Sequence, residues 1–458
     1  MLASALVVIL IASALGYWWN RRAAQALLEA GCHPHSTPRY HGLYAFLLVA
    51  VPSFLFLVFW LAFEGPIIDA VILAQLPDEV ARQLDENGRR LLLSEIDALA
   101  VGRVFKEAEP WKHALAAERQ RLEILADRAL LGLVTLLAGA ILLHARRRVS
   151  AAFRARQRAE RIVSGIMIAS ALVAILTTLG IVASLMAEAL RFFHKVPVAE
   201  FLFGLRWEPQ IAIRADQVAG QGAFGWIPVL VGTLLITVIA LVVAVPVGLL
   251  SAIYLNEFAS PRFRRLAKPV LEILAGVPTI VYGFFAVLTV APALRAAGVA
   301  LGIPVSPNTA LAAGSVMGIM LIPFISSFAD DALSAVPRTL RDGSLALGAT
   351  RGETMLKVLF PSAIPGIVGG VLLAVSRAIG ETMIVVMAAG IIAKLTFNPL
   401  DSVTTVTVQI VTLLIGDTEF DNPKTLAAFA LGLMLFLITL GINVVALKVV
   451  RRYRELYD

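Results

Sequence analysis

The sequence predicts an all-α integral membrane protein with about nine transmembrane helices. Three observations lead to this fold class: 59% of the 458 residues are hydrophobic, only 16% are charged, and the apolar residues are gathered into long runs. Soluble domains are about half apolar and about a quarter charged, so a single water-soluble core cannot bury this surplus. Lipid must therefore solvate much of the surface.

The predicted spans follow from the length of the apolar runs, because a transmembrane helix needs about 20 consecutive apolar residues. The first run is preceded by no Lys or Arg and is followed directly by Arg21 and Arg22. A cleavable signal peptide carries positive charge before its apolar stretch, so we expect a retained first helix. The nine runs are Leu2–Trp19, Leu43–Phe63, Leu125–His144, Ile162–Leu190, Ile227–Leu255, Val270–Leu294, Thr309–Phe328, Gly366–Lys394 and Thr425–Leu447.

Positive charge predicts the orientation of these helices, because Lys and Arg accumulate in cytoplasmic loops. If all the helices alternate, the basic segments fall on one side: 145–161, 256–269, 329–365 and the C-terminal tail. The segments on the other side are poorer in positive charge: 191–226, 295–308 and 395–424. We therefore expect a multi-pass protein of the cytoplasmic (inner) membrane, with its N-terminus in the periplasm and its C-terminus in the cytoplasm. Because the net charge of +7 lies in short loops, it does not indicate nucleic-acid binding.

The chain is predicted to consist of two sections. Residues 1–159 form an N-terminal extension with three spans and a polar stretch, 64–124, in which charged residues alternate with spaced leucines. That pattern predicts extramembrane helices, and loop charge places them in the periplasm. Residues 160–458 contain the remaining six spans. The sequence alone assigns no role to the extension.

The third basic loop carries capping signals for two short helices. Gly348 is suited to end the first helix, because only glycine adopts a left-handed turn without strain. Thr350 and Glu353 have the spacing of a capping box that opens the second helix, and Pro361 and Pro365 are expected to stop it. The segment is either a lever that transmits motion from a soluble partner or an ordinary capped loop, and capping alone favours the ordinary loop.

A charged constellation lies near the middle of the predicted span Gly366–Lys394. Arg377 and Glu381 are four residues apart, which places both on one face of a helix. An arginine at mid-bilayer costs about 2.5–3.5 kcal/mol on insertion scales, so its presence needs a reason. Two interpretations carry equal weight. One is a translocation site, in which the guanidinium and the hydroxyls of Ser376 and Thr382 bind an oxyanion; the other is a neutral pair that holds helices together.

Small residues and prolines add two further expectations. Gly314/Gly318 and Gly366/Gly370 are each spaced by four residues, which lets helices approach closely in lipid. The segment Gly276–Thr279 contains a proline within a predicted span. For this segment a simple kink is favoured over local unwinding.

The sequence contains no pattern that indicates an enzyme. The phosphate-binding loop G-x-x-x-x-G-K-[ST] is absent, so the chain is not expected to hydrolyse ATP by itself. Cys32, His33, His35 and His41 crowd one short loop but form no clear four-ligand pattern, and a plain polar loop is favoured over a metal site. We therefore expect no catalytic residue, no metal and no cofactor in this chain.

The third basic loop resembles the EAA loop of ABC-importer permeases. Asp342, Gly343 and Ser344 stand where that motif has Glu-Ala-Ala, and Gly348 and Pro361 match its spacing. The loop therefore departs from the general motif at its opening while retaining its length.

Two short stretches are similar to the phosphate-permease branch of that family: LALGATRGET (345–354) and RAIGETM (377–383). Phe224–Ala259 and Lys268–Phe285 resemble the same branch almost throughout. The resemblance covers roughly residues 160–458. The chain resembles the PstC type of subunit more than the PstA type.

The resemblance implies that the last six helices form a type I ABC importer permease core. The residues it implies in ATPase coupling are Asp342, Gly348, Thr350, Arg351 and Glu353. Those it implies in phosphate passage are Arg377, Glu381, Ser376 and Thr382. The implied partners are a PstA-like permease subunit, a PstB-like ATPase dimer that uses ATP, and a PstS-like periplasmic phosphate-binding protein.

Three alternatives remain beside this one. A permease for another oxyanion, such as molybdate or sulfate, has the same architecture, but the phosphate-type RAIGETM argues against it. A membrane phosphate-sensing scaffold would use 64–124, and no catalytic or phospho-acceptor motif supports it. A secondary transporter should show internal repeats and several buried acids, and the sequence shows neither clearly.

The predicted orientation is tested by cysteine labelling. In a background in which Cys32 is replaced by serine, we expect a membrane-impermeant thiol reagent to label Gln83→Cys but not Ser344→Cys on intact cells. Labelling of both positions after permeabilisation is the control for accessibility. The reverse pattern on intact cells contradicts the orientation.

Overall fold

The computed structural model describes most of the chain, which folds into two compact units, Met1–Leu176 and Thr177–Asp458. Among the described residues, nine helical runs are long and apolar enough to cross a membrane, which confirms the predicted number and order of spans. Gln83, the position for labelling, lies outside the described residues. The described ranges are 2–77, 80, 86–102, 109–210, 222–415 and 422–454, without the side chains of 86–87 and 452–454.

The first unit consists, in its described part, of helices joined by short non-helical segments. α1, α2 and α4 pack together through Ala5, Ile9, Leu57, Leu130 and Val134. At 37 and 38 residues, α2 and α4 are nearly twice the length needed to cross lipid, so one end of each extends beyond the apolar layer. The elements are α1 (Leu2–Glu29), α2 (Pro38–Ala74), α3 (Glu86–Ala100), α4 (Pro110–Arg147) and the first part of α5 (Ala155–Lys195).

The polar stretch 64–124 is formed, in its described part, by the extended ends of α2 and α4 together with α3. Helices were predicted here, and they share one apolar cluster: Ile68, Ile72, Leu92, Ile96, Leu115 and Ala116. Arg119 of α4 is only 8% exposed beside this cluster. Its guanidinium is ion-paired with Asp69 of α2 (2.6 Å), with Asp97 of α3, and with Glu123 one turn further along (3.3 Å). One buried cation thus holds three helix segments together.

The segment just before α2, at the opposite end of this helix, is hydrogen-bonded to the arginine-rich loop 145–161. The backbone N–H of His35 donates to the carbonyl of Ala151 (2.8 Å), and the N–H of Arg156 donates to the hydroxyl of Ser36 (3.1 Å). The loop after α1 therefore lies beside the most basic loop of the chain.

The second unit contains the remaining elements. They are the rest of α5, α6 (Val198–Phe203), the antiparallel pair β1 (Trp207–Glu208) and β2 (Ala223–Phe224), α7 (Ile227–Ile253), α8 (Pro261–Ala275), α9 (Thr279–Phe285), α10 (Ala291–Leu301), α11 (Ala310–Ser334), α12 (Arg338–Ala346), α13 (Arg351–Thr354), α14 (Phe360–Ile379), α15 (Met383–Ala388), α16 (Val406–Leu414) and α17 (Pro423–Arg454). In the β pair, Trp207 is opposite Phe224 and Glu208 is opposite Ala223. The apolar core of the unit is centred on α11, which packs between α7 and α14.

Close helix approach in this core depends on the predicted glycine pairs. Gly314 and Gly318 of α11 face α7, and a Cβ added at Gly314 would lie 2.6 Å from Ile239. Gly366 and Gly370 of α14 face α11 in the same way. Both four-residue pairs therefore lie at helix–helix contacts, as expected for small residues in lipid.

The predicted span Val270–Leu294 is wrong. α8 is a separate helix that ends at Ala275, and the span runs over Thr279–Leu301. Gly276–Pro278 is not helical, so local unwinding occurs where a kink was favoured. A proline has no N–H and disfavours the helical conformation of the residue before it, which ends α8 at this point.

The predicted span Gly366–Lys394 is also wrong, since this span runs over Arg351–Ile379. Pro361 does not stop the helix, because the turn Met355–Leu359 before it is widened into a π turn. The N–H of Phe360 donates to the carbonyl of Met355, five residues back, and Pro361 has no N–H to continue the ladder. α13 and α14 are consequently one continuous helix.

Replacing Arg119 tests the ion-paired cluster of the first unit. We expect Arg119→Leu to lower the free energy of unfolding by about 1–3 kcal/mol, because three carboxylates lose their shared cation but remain exposed enough to be re-solvated. Arg121→Leu is the matched control. Its exposed side chain lies 3.6 Å from Glu118, and its loss should change stability by at most about 1 kcal/mol. Thermal unfolding of the purified chain in detergent measures both, and equal shifts contradict the proposed role of Arg119.

Candidate functional site

The capping pattern predicted for the third basic loop is present. α12 ends before Gly348, whose φ of +89° lies in the left-handed region. α13 then begins with a capping box, in which the Thr350 hydroxyl accepts from the N–H of Glu353 and the Glu353 carboxylate accepts from the N–H of Thr350 (3.0 Å). Because α13 continues into α14, any movement of this capped turn is passed directly to a transmembrane helix.

Most of the surface of α12 is available to a partner. None of its residues, all of which the structure describes, is buried. Leu347, at its C-terminal end, is 91% exposed. The five residues implied in coupling are also exposed: Asp342, Gly348, Thr350, Arg351 and Glu353. A single exposed apolar side chain does not by itself mark an interface, but Leu347 lies in the loop whose sequence resembles the EAA loop, so it is available to a partner surface.

A buried ion pair connects α12 to another span. Arg341 Nη2 lies 2.9 Å from Glu257 Oε1, in the π turn Tyr254–Phe258 that follows α7, and the Glu257 side chain is 1% exposed. The second carboxylate oxygen of Glu257 is buried and has no hydrogen-bond partner among the described residues. The carboxylate therefore depends on Arg341, because a buried charge without its partner is strongly unfavourable. In addition, the hydroxyls of Ser344 and Thr354 are 3.0 Å apart and join α12 to α13.

A second buried acid, Asp330 near the end of α11, holds α8 in place. Its carboxylate accepts from Arg264 through both oxygens (2.9 and 3.1 Å), from Lys268 (2.9 Å) and from Asn256 (2.8 Å). The hydrogen bond to Asp330 raises the pKa of Lys268 above its ordinary value, so this ammonium group remains charged. A cavity of about 250 Å³ lies between α8 and α11 beside this cluster.

The residues predicted for translocation do not share one polar face. Since the helix ends at Ile379, Arg377 and Glu381 are not on one helical face, and no ion pair joins them in the described part of the chain. The neutral pair suggested by their spacing is therefore wrong. Arg377 is exposed, and its guanidinium carbon lies 5.7 Å from the ring of Phe324. The same ring lines the cavity between α8 and α11.

The other three predicted residues have partners of their own. Glu381 accepts from the N–H of Met383 (3.0 Å) in the first turn of α15. The Ser376 hydroxyl donates to Asn443 of α17 (3.0 Å), and the Thr382 hydroxyl makes a long backbone contact of 3.5 Å. Among the described residues, the Arg377 guanidinium alone of the four polar groups makes no hydrogen bond, so it is the group free to receive an anion.

A buried hydrogen-bond network supports the chain on both sides of α15. Gln409 of α16 donates to the Ile391 carbonyl (2.7 Å) and accepts from the Trp207 indole (2.7 Å). Thr407 donates to the carbonyl of Glu381 (2.9 Å). Side chains thus satisfy backbone groups that the interrupted helix leaves without helical partners, as the interior of a membrane protein requires.

The two buried acids were not predicted from the sequence. Glu257 and Asp330 each directly follow a predicted span, so both have the pattern of loop residues. One available signal was the four-residue spacing of Arg264 and Lys268, which places two cations on one helix face and predicts an acidic partner. Gln409 carried no comparable signal, because its partner Trp207 is 202 positions away.

Two family models match the chain. Residues 6–177 match a phosphate ATP-binding cassette transporter model, and residues 244–455 match the binding-protein-dependent transport system inner membrane component. The chain is 32% identical over 279 residues to the Probable ABC transporter permease protein YqgH of Bacillus subtilis, covering 60% of this chain and 85% of the relative. It is 35% identical over 248 residues to phosphate transport system permease protein PstC 1 of Mycobacterium tuberculosis, covering 50% and 73%. The PstC protein of Mesorhizobium japonicum is 32% identical over 242 residues, covering 49% and 72%.

A solved structure of a bacterial alginate ABC transporter is also similar, with a TM-score of 0.45 and 16% identity, covering 63% of this chain and 94% of that one.

Nine candidate spans within the described residues, an exposed helix joined to two of them, and the permease relatives together identify the membrane subunit of a transporter. More particularly, the chain belongs to the binding-protein-dependent permease family of ABC importers, and PstC phosphate permeases are among its relatives. Members of this family work with an ATPase and a binding protein, and the chain is a multi-pass membrane protein.

The left-handed turn at Gly348 is tested with a matched pair of variants. Nothing lies within 4 Å of a Cβ built at Gly348 or at Gly302, and both residues have positive φ. Gly348→Leu should therefore cost about 1–2 kcal/mol for conformational reasons alone and turn α12 away from its fixed direction, whereas Gly302→Leu carries the same strain at the end of α10, outside the coupling loop. We expect the amount of ATPase that co-purifies to fall for Gly348→Leu only. Normal ATPase binding and uptake by this variant contradict the assigned role.

Proposed function

We propose that this chain is the permease subunit of an ATP-driven phosphate importer in the cytoplasmic membrane. The phosphate-transporter model over 6–177 and the PstC relatives support phosphate as the substrate. The observation that carries the coupling part of the proposal is α12, an exposed helix that is held by a buried ion pair. Since the sequence has no ATP-binding loop, a separate PstB-like ATPase dimer hydrolyses ATP and this chain is not an enzyme.

In this proposal α12 receives the motion of the ATPase. The exposed side chain of Leu347 enters the partner surface, and Asp342 and Arg351 of the same loop are exposed charges. Motion then follows two routes that the contacts define. One is the ion pair from Arg341 to Glu257 at the end of α7, and the other is the continuous helix from α13 into α14. A helix held in this way moves with the spans rather than independently of them.

Arg377 is the proposed contact for phosphate. A guanidinium offers a planar set of N–H donors that fits two oxygens of an oxyanion. The ring of Phe324 limits the orientations of the group through a cation–π contact and leaves its N–H edges available. Ser376 and Thr382 are proposed as additional hydroxyl donors during passage. Glu381 is proposed to act as the cap of α15 instead, because its carboxylate already accepts backbone N–H groups.

The remaining partners are proposed from the same resemblance. A PstA-like subunit would complete the path for phosphate, and a PstS-like protein would deliver phosphate from the periplasm. The basic loops would face the cytoplasm, with the N-terminus in the periplasm and the C-terminus in the cytoplasm. Phosphate, molybdate and sulfate all fit a guanidinium, so competition between these anions distinguishes the proposal from a permease for another oxyanion.

The assignment of Arg377 is tested by a conservative substitution. Arg377→Lys keeps the charge but loses the planar set of donors, so we expect phosphate uptake per assembled complex to fall about tenfold or more. Arg295→Lys is the matched control, because Arg295 is an exposed arginine of α10 outside the proposed site. Uptake of labelled phosphate, with molybdate and sulfate as competitors, is the measurement. Near-normal uptake by Arg377→Lys means that the side chain is architectural, and strong competition by molybdate or sulfate identifies another substrate.

A further inference from the structure

The first unit contains a cavity of about 640 Å³ between the end of α1 and the start of α2. Its polar lining includes Tyr17 and Arg21 of α1 together with Arg39 and Tyr40 of α2, and Leu43 contributes an apolar wall. Every lining residue belongs to the N-terminal extension, to which neither the coupling helix nor the translocation residues belong.

Two arginines face this cavity without an acidic partner. Within the described part of the chain, neither Arg21 nor Arg39 forms an ion pair or a side-chain hydrogen bond, although Arg21 is partly buried. The nearby Arg156, by contrast, is paired with Glu160 at 2.7 Å. A guanidinium carries five N–H donors, and partial burial removes water that would otherwise satisfy them. The pair of arginines is therefore suited to an anion that the chain itself does not supply.

The surroundings place the cavity at the level of lipid headgroups. Trp18 and Trp19 lie one turn from Arg21, and the guanidinium of Arg22 lies 3.3 Å from the centre of the Trp18 ring. Tryptophans accompanied by arginines are typical of the membrane–water interface. The contacts from His35 to Ala151 and from Ser36 to Arg156 put this end beside the arginine-rich loop, which loop charge assigns to the cytoplasm.

The start of α2 strengthens the positive potential of the cavity. Thr37 is the N-cap residue, and its side chain makes no capping hydrogen bond. Thr37 and the first residues of the helix line the cavity, so the positive end of a 37-residue helix opens toward the two arginines.

We propose that this cavity binds the phosphate group of an anionic phospholipid, such as phosphatidylglycerol, from the cytoplasmic leaflet. Arg21 and Arg39 donate to the phosphodiester oxygens through charge-assisted hydrogen bonds. The acyl chains continue past Leu43 along the apolar faces of α1 and α2. Basic pockets between transmembrane helices on the cytoplasmic side have the chemistry that such headgroups require. The N-terminal extension thereby becomes a lipid-binding unit, whether or not the rest of the chain carries phosphate.

The test measures lipid retained by the purified full-length chain. Delipidated protein in detergent is titrated with phosphatidylglycerol or phosphatidylcholine, and bound lipid is counted by native mass spectrometry. We expect the double variant Arg21→Gln/Arg39→Gln to bind phosphatidylglycerol about thirtyfold more weakly than the unchanged chain. Arg147→Gln/Arg148→Gln removes the same number of charges from the same end, outside the cavity lining, and should weaken binding by less than about threefold.

Three outcomes overturn the proposal. They are equal retention of phosphatidylcholine, equal weakening in the two double variants, and displacement of phosphatidylglycerol by millimolar inorganic phosphate, which would assign the cavity to free phosphate. If the glutamine double variant is not recovered folded, Arg39→Gln alone provides the same test, because Arg39 is exposed and removing it disturbs no internal pair among the described residues. Unchanged phosphatidylglycerol binding by that single variant also overturns the proposal.

Discussion

The requirement that backbone N–H and C=O groups in lipid be hydrogen-bonded within the protein governs the second unit. Helices meet this requirement by themselves, so the informative places are interruptions at the ends of spans: Gly276–Pro278, before Thr279–Leu301, and Gly380–Thr382, after Arg351–Ile379. Side chains support both. The Tyr282 hydroxyl donates to the Leu274 carbonyl at the first interruption (2.7 Å), and Glu381 accepts backbone N–H groups at the second. At this second interruption Glu381 caps α15 and does not pair with Arg377. The Arg377 guanidinium therefore has no hydrogen-bond partner among the described residues.

Two buried acids attach the helices α8 and α12 to the spans of the permease. Neither α8 nor α12, each described in full, contains a buried residue. α8 is held through Asp330 and α12 through Glu257, whose side chains are 8% and 1% exposed. Separating either acid from its cations would leave a buried carboxylate uncompensated, which is strongly destabilising, so each contact keeps its geometry. Attachment by such pairs therefore suits helices that must transmit a movement between a soluble partner and the spans.

The first unit shows how one residue type serves two purposes. Arg119 is surrounded by three carboxylates and fixes the packing of α2, α3 and α4. Arg21 and Arg39, at the other end of α2, face a cavity without any such partner among the described residues. The difference lies in which side chains the fold brings within a few ångströms of each guanidinium. Arg119 is therefore a structural residue, whereas Arg21 and Arg39 are available to a ligand.

The sequence by itself determined the fold class, the number and order of the spans, the close glycine contacts and the caps at Gly348 and Thr350. These features depend on hydropathy and on local backbone preferences, which are determined by residues that are neighbours in the sequence. Only the tertiary structure decided where the span Arg351–Ile379 begins and ends, because a π turn carries the helix past Pro361 and a side-chain cap interrupts it after Ile379. It also decided the partners of the charged residues. Glu257 and Arg341 are 84 positions apart, and Asp330 and Arg264 are 66 apart, so no local pattern reveals either contact.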